Sequence, residues 1–160
     1  MIRNLLNNLK FLTFSVCFIN TTLAIEPPKK LLIKDLFVSD QNQFVELNDV
    51  LFVNYEGWIY DKSINTDDHC SAKGIKFDST KEKPFREKIT PFRFKIGKGL
   101  LIPGWELGLL KMKKGDKRCL VIPHGLAYGH RSFDKIPSYS TLIFEIELIK
   151  IEKNKQRVYD

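Results

Sequence analysis

Histidine and cysteine are scarce in this chain, at three each in 160 residues, and their placement removes several chemistries at once. His69, His124 and His130 have no companions at metal-ligand spacing. The one dense group, Asp67-Asp68-His69-Cys70, is four consecutive residues that a single loop cannot turn inward together, so it reads as solvated loop. No glycine-rich turn opens a long helix, and Gly97-Lys98-Gly99 lacks the rest of either phosphate-binding motif. Serine, histidine and aspartate show no arrangement for acyl transfer. An uninterrupted run of ~20 apolar residues, the length that spans a bilayer, is missing too. Repeats and low-complexity stretches are absent. No motif here calls for a metal or a cofactor.

The apolar share of 43% and aromatic share of 12% are ample for a packed core, and the length suits one domain with a tail. The first 24 residues stand apart. Arg3 and Lys10 precede the apolar run Phe11–Ile19, and Thr22-Leu23-Ala24 supplies small residues for cleavage. That order is the pattern of a secretory signal peptide, so residues 1–24 are expected to be a cleaved leader and the protein to be exported, with no stable membrane insertion afterwards. Residues 25–30 then read as an exposed linker. The formal charge is +7; without Arg3 and Lys10 it is 24 basic against 19 acidic residues, a net +5. The lysines alternate with acids, which reads as a solvated surface and not a nucleic-acid footprint. Cys17 leaves with the leader. Cys70, in a loop, and Cys119, on a strand, remain, and spacing alone does not fix the Cα separation that a disulfide demands. Their pairing stays open.

Alternation and turn residues divide the rest. Strands are expected at Leu31–Val38, Val50–Tyr60, Ile75–Phe77, Phe92–Ile96, Arg118–Ile122 and Thr141–Ile149, and a short helix at Trp105–Leu110. Residues 61–74, 81–90 and 125–138 read as loops, and 151–160 as a charged tail. Gly57 inside the second strand suggests a bulge or a close approach. Many strands with one short helix argue an α+β class, an antiparallel sheet packed on that helix.

One feature carries chemistry. Aromatics gather at strand ends and beside glycines: Tyr55, Phe77, Phe92, Trp105, Tyr128 and Phe144. Asp78 follows Phe77 directly. Trp105, framed by Gly104 and Gly108, suits the floor of a pocket. Together these residues fit an apolar cleft with a few polar handles, the build of a small-ligand site.

The motifs Val53-Asn54-Tyr55-Glu56-Gly57, Phe77-Asp78-Ser79-Thr80, Gly104-Trp105-Glu106, Gly115-Asp116-Lys117-Arg118, Leu126-Ala127-Tyr128-Gly129, Ile136-Pro137 and Thr141–Glu145 run in one order. In that order the chain resembles the FKBP-type peptidyl-prolyl cis/trans isomerases from about Leu31 to Leu148, and among them the exported bacterial members most. The resemblance implies a five- to six-stranded antiparallel half-barrel sheet wrapped around one short α-helix, in a domain spanning 31–150. It implies catalysis of rotation about X–Pro bonds, with no cofactor or metal, and a bacterial periplasm or a eukaryotic secretory lumen as the compartment. Its catalytic residues would be Asp78, Tyr128, Trp105 and Phe144. Its substrate-binding residues would be Tyr55, Phe77, Phe92, Leu101, Ile102 and Ile136. Asp78 would face the imide, while the Tyr128 hydroxyl and the Ile102 N–H would hold peptide carbonyls. The implied partners are proline-containing polypeptides and rapamycin-type macrolides, not nucleic acid, and the implied state is a monomer. A proline-binding chaperone module with little catalysis is the alternative.

The chain departs from the family's pattern at four places. Asn54 replaces a usual histidine, Lys83 stands where a basic residue supports the aspartate, and Phe85–Thr90 reads as an insertion. The loop Gly129–Lys135 carries Arg131 and Phe133 where small residues are common. With Phe77, Ile136 and this loop around the residue before proline, large apolar residues are expected there, and Lys or Arg disfavoured.

Overall fold

The second strand organises the sheet. Leu51 and Val53 point inward and are wholly buried, while Phe52, Asn54 and Glu56 alternate to the other face, so one strand builds two environments. In the computed structural model, which describes residues 25–82 and 90–154, this strand, β2 (Val50–Tyr60), lies among five others: β1 (Leu32–Phe37), β3 (Lys73–Ser79), β4 (Phe92–Lys95), β5 (Lys117–Ile122) and β6 (Leu142–Glu152). One helix, α1 (Pro103–Gly108), joins β4 to β5. All pairings are antiparallel, in the order β1-β5-β6-β2-β3, and β4 pairs with β2 as well. The first half of β2 pairs with β4, from Val50 opposite Lys95 to Val53 opposite Phe92. Its second half pairs with β3, where Glu56 and Gly57 lie opposite Ser79 and Asp78. The expected leader, Lys83, most of the 85–90 stretch and the last six residues of the tail lie outside the described residues.

A six-residue helix is too short to stand alone in water, so tertiary packing makes this one. Pro103 occupies its first turn, where a missing N–H costs nothing. Gly104 and Gly108, four apart, face β5. A Cβ built on them would fall 2.4 Å from Ile122 Cγ2 and 2.6 Å from Leu120 Cδ1. The helix therefore sits against the sheet closer than any alanine would allow. Arg118 of β5, almost fully buried, holds the helix end: its Nη1 donates to the carbonyls of Gly108 at 2.7 Å and Leu110 at 3.2 Å, and its Nε to Asp35 of β1 at 2.7 Å. The main core fills the space between, with Leu51, Val53, Ile96, Trp105, Leu120, Phe144, Ile146 and Leu148.

The other face of the sheet carries a smaller cluster: Tyr60, Cys70, Ala72, Cys119, Val121 and Ile143. Here Cys70 and Cys119 form a disulfide, with Cα atoms 6.3 Å apart. The segment read as solvated loop is thus anchored. Asp68 accepts from the Cys70 N–H at 3.1 Å and pairs with Lys34 at 3.0 Å, and the Tyr60 hydroxyl meets His69 Nδ1 at 2.9 Å. Ile25 packs on the same cluster, and its carbonyl accepts from the Tyr60 hydroxyl at 3.0 Å. At the far end β6 runs on to Glu152. Beyond it Lys153 donates to Asp49 at 2.8 Å, and the Asn154 N–H to the same carboxylate at 3.0 Å. Burial by itself would raise the pKa of Asp49, but the hydrogen bonds from Lys153, Glu46 and Asn154 outweigh it and hold the carboxyl below its ordinary range.

Gly57 marks both a register shift and a close approach. A Cβ there would meet Phe77 Cζ at 2.7 Å and Phe144 Cε1 at 2.9 Å. We expect Gly57→Ala to cost about 1–3 kcal/mol of stability in urea unfolding by overpacking these two rings, and an unchanged midpoint would contradict the packing described. The disulfide closes a loop with a sequence separation of 49. A Cys70→Ser/Cys119→Ser double variant is expected to lose about 2–4 kcal/mol, and reductant should move the wild-type protein the same way. Equal stability with and without the bridge would show that it ties nothing down.

Candidate functional site

Where β2, β3, β4, α1 and the segment after β5 converge, the sheet leaves a cavity of about 430 Å³. Trp105 is its floor: 4% exposed, with four rings packed against it edge-on. Tyr55, Phe144, Phe94 and Phe92 lie at centroid distances of 5.1, 5.3, 5.8 and 6.3 Å. Phe77 meets Phe144 at 5.5 Å, also edge to face. Such contacts place the positive edge of one ring on the negative face of the next and give each ring a defined tilt. The result is a rigid aromatic box, open on one side. Trp105 Nε1 has no hydrogen-bond partner among the described residues, so the floor presents one buried, unspent donor.

The polar handles come from three directions. The Tyr55 hydroxyl donates to Asp78 Oδ2. The Ser79 N–H reaches Asp78 Oδ1 at 2.8 Å. These bonds orient the carboxylate at the wall. Behind them Thr80 locks β3 to β2, its Oγ1 accepting from the Tyr55 N–H at 2.9 Å and its N–H donating to the Tyr55 carbonyl at 3.0 Å. Burial, then the hydrogen bond to Asp78, pushes the Tyr55 pKa well above the ordinary tyrosine range. Burial, then the charge of Asp78, raises that of Tyr128 as well. Both phenols are therefore donors at neutral pH. The Tyr55 hydroxyl directs its proton at Asp78; the Tyr128 hydroxyl has no such partner among the described residues.

The third wall is the turn after β4. Gly97 and Gly99 take positive φ, +80° and +64°, and their N–H groups donate to the Glu106 carboxylate at 2.5 and 3.1 Å. Glu106 thus straps this turn to α1, and the turn delivers Leu100, Leu101 and Ile102 to the cavity rim. The Ile102 carbonyl is taken by the N–H groups of Trp105 and Glu106.

Of the residues singled out from sequence, Tyr55, Phe77, Asp78, Phe92, Leu101, Ile102, Trp105, Tyr128 and Phe144 all line this one cavity. Ile136 does not. It is 4% exposed and packs in the main core, and its backbone bridges to Phe133. Leu100, Pro103 and Ala127 line the cavity too, although the sequence reading does not place them among the site residues. The run Leu100-Leu101-Ile102-Pro103 held a signal: an apolar stretch too short and too proline-bound for a strand. Lys83 lies outside the described residues.

Comparison with known proteins agrees with this geometry. The sequence profile of the FKBP-type peptidyl-prolyl cis-trans isomerases matches residues 41–149. The chain is 41% identical over 109 residues to the human peptidyl-prolyl cis-trans isomerase FKBP2, a stretch covering 68% of this chain and 65% of that protein. With FK506-binding protein 2 of Aspergillus fumigatus it shares 34% identity over 145 residues, 90% of this chain and 95% of the other. FK506-binding protein 2 of Dictyostelium discoideum is 51% identical over 79 residues, 49% of this chain and 56% of that one. The chain spans just under two-thirds of the length of the mammalian relatives it matches. With its open antiparallel sheet, the short helix α1 and the aromatic cleft between them, the chain belongs to the FKBP-type peptidyl-prolyl cis-trans isomerase family.

Proposed function

We propose that this protein accelerates cis/trans rotation about X–Pro bonds in polypeptides, with the aromatic cavity as its active site. The observation that carries the reading is an aromatic box with, at its wall, one tyrosine hydroxyl that has no partner among the described residues. Rotation about a peptide bond is slow because it gives up resonance, at a barrier of ~18–20 kcal/mol. The twisted amide has lost that resonance and is less polar than the planar one. An apolar cavity that excludes water therefore favours the twisted form. The prolyl ring rests on Trp105 among Tyr55, Phe92 and Phe144. Tyr128 donates to a carbonyl beside the proline, the Ile102 N–H holds a second, and Asp78, fixed by Tyr55 and Ser79, faces the carbonyl that turns. No bond is made or broken, so no nucleophile is required. The same box would accept macrolides of the rapamycin type, in keeping with the names of the FK506-binding relatives.

The compartment we favour is an exported, oxidising one, the bacterial periplasm or a eukaryotic secretory lumen. The leader-like start of the sequence and the Cys70–Cys119 bridge support it. Clients there are other exported chains whose folding waits on proline.

A proline-limited refolding or protease-coupled peptide assay tests the activity. Tyr128→Phe is expected to lower kcat/KM by about three- to tenfold, the loss of one hydrogen bond. Asp78→Val should lower it further, with stability little changed. Phe144→Ala should reduce both, since truncating a buried aromatic costs about 3–5 kcal/mol. Folded wild-type protein that leaves the uncatalysed rate untouched, while still binding a macrolide, would replace this reading with that of a proline-binding chaperone module.

A further inference from the structure

Phe133 is an oddity of the loop between β5 and β6. It is 57% exposed, yet its ring stacks on that of Tyr128, with the two planes 3° from parallel and centroids 5.0 Å apart. It does not line the cavity. Tyr128 lines it, so Phe133 covers ring surface that Tyr128 would otherwise turn to water. The stack is tethered. The Phe133 N–H donates to the Ile136 carbonyl at 2.9 Å and the Ile136 N–H returns to Phe133 at 2.8 Å. Asp134, at φ +47°, makes the tight turn between them. Ile136 is buried in the main core, so the bridge ties an exposed ring to a rigid base. A further bond, from the Arg131 N–H to the Tyr128 carbonyl at 3.2 Å, fixes the start of the loop to the same tyrosine.

Tyr128 needs such support. Tyr55 is oriented by its bond to Asp78, but the Tyr128 hydroxyl has no acceptor of its own among the described residues. No polar side chain among the described residues therefore sets its direction. A donor left to swing loses orientation at each binding event, and orientation is what a positioned hydrogen bond contributes.

We propose that Phe133 is a positioning residue: stacked on Tyr128 and bridged to Ile136, it holds the Tyr128 hydroxyl at the cavity wall, ready for a substrate carbonyl. This rests on the isomerase reading above. Phe133 touches no reacting atom. Its effect passes through one ring, and an aromatic side chain is required for it.

The test compares Phe133→Ala, Phe133→Leu and Phe133→Tyr, alone and in a Tyr128→Phe background. Two readouts are taken: kcat/KM on a Leu-Pro peptide, and ionisation of the Tyr128 hydroxyl followed by ultraviolet absorbance as the difference from Tyr128→Phe. Phe133→Ala and Phe133→Leu are expected to lower kcat/KM by about three- to tenfold, the usual worth of an aromatic pair, and to let Tyr128 ionise at lower pH. Phe133→Tyr should restore both to near the wild-type values. In the Tyr128→Phe background, Phe133→Ala should cost clearly less, because the hydroxyl it positions is gone. An unchanged Tyr128 ionisation in Phe133→Ala overturns the proposal, as does unchanged kcat/KM or an equal loss in both backgrounds. Were the wild-type protein inactive on the peptide, the isomerase reading would fall separately, and the ionisation readout would still decide whether Phe133 holds Tyr128.

Discussion

Burial of Trp105 is the constraint on which the rest of this structure depends. A six-residue helix gains too few internal hydrogen bonds to form by itself, so α1 exists because its tryptophan is gripped by the rings of Tyr55, Phe92, Phe94 and Phe144. That grip in turn demands a close seat, which Gly104 and Gly108 allow against Ile122 and Leu120. Fold and cavity are then one arrangement. The rings that hold the helix to the sheet are also the floor and walls of the cavity. On the function proposed above, substitutions in this box act on stability and on binding together, whereas those at Asp78 and Tyr128, at the polar margin, act mainly on binding.

The outer face follows a different logic. There the sheet buries only a small cluster around Tyr60, Val121 and Ile143, too little to order a long polar loop. The disulfide supplies what apolar area does not, by limiting the unfolded chain. It also sets the path of the chain into β3, and β3 carries Phe77 and Asp78. Arg118 does the equivalent on the inner side, joining β1, β5 and the end of α1 through three hydrogen bonds from one buried fork.

Much of this was legible in the sequence, and the exceptions have physical causes. The limits of β2 were read as they are found, because Leu51, Val53 and Tyr55 alternate with Phe52, Asn54 and Glu56 between clear turns. β6 was read three residues short: its last part pairs with the start of β2, a tertiary contact that overrides the charges of Lys150 and Glu152. β3 begins at Lys73, two residues before the apolar run, because Tyr60 lies opposite Lys73. Nine of the ten residues read as site residues surround one cavity. Ile136 packs in the core beside them, bridged through its backbone to Phe133, and turn geometry of this kind leaves no mark in composition. The bond from Tyr55 to Asp78 spans 23 residues and depends on the register between β2 and β3. The Cys70–Cys119 bridge likewise lies beyond sequence spacing, because two cysteines 49 apart approach or not according to how a loop folds back. The stack of Phe133 on Tyr128 was the least visible of all.

Exchange NMR on a short Leu-Pro peptide with a small amount of the protein tests the central claim most directly. The account predicts cis–trans exchange cross-peaks far faster than the uncatalysed process, which takes tens of seconds or more. It also predicts magnetisation transfer from the prolyl ring to the aromatic protons of Trp105 and Phe144. Exchange at the uncatalysed rate, or prolyl contacts at some other surface with those two rings unaffected, would contradict it.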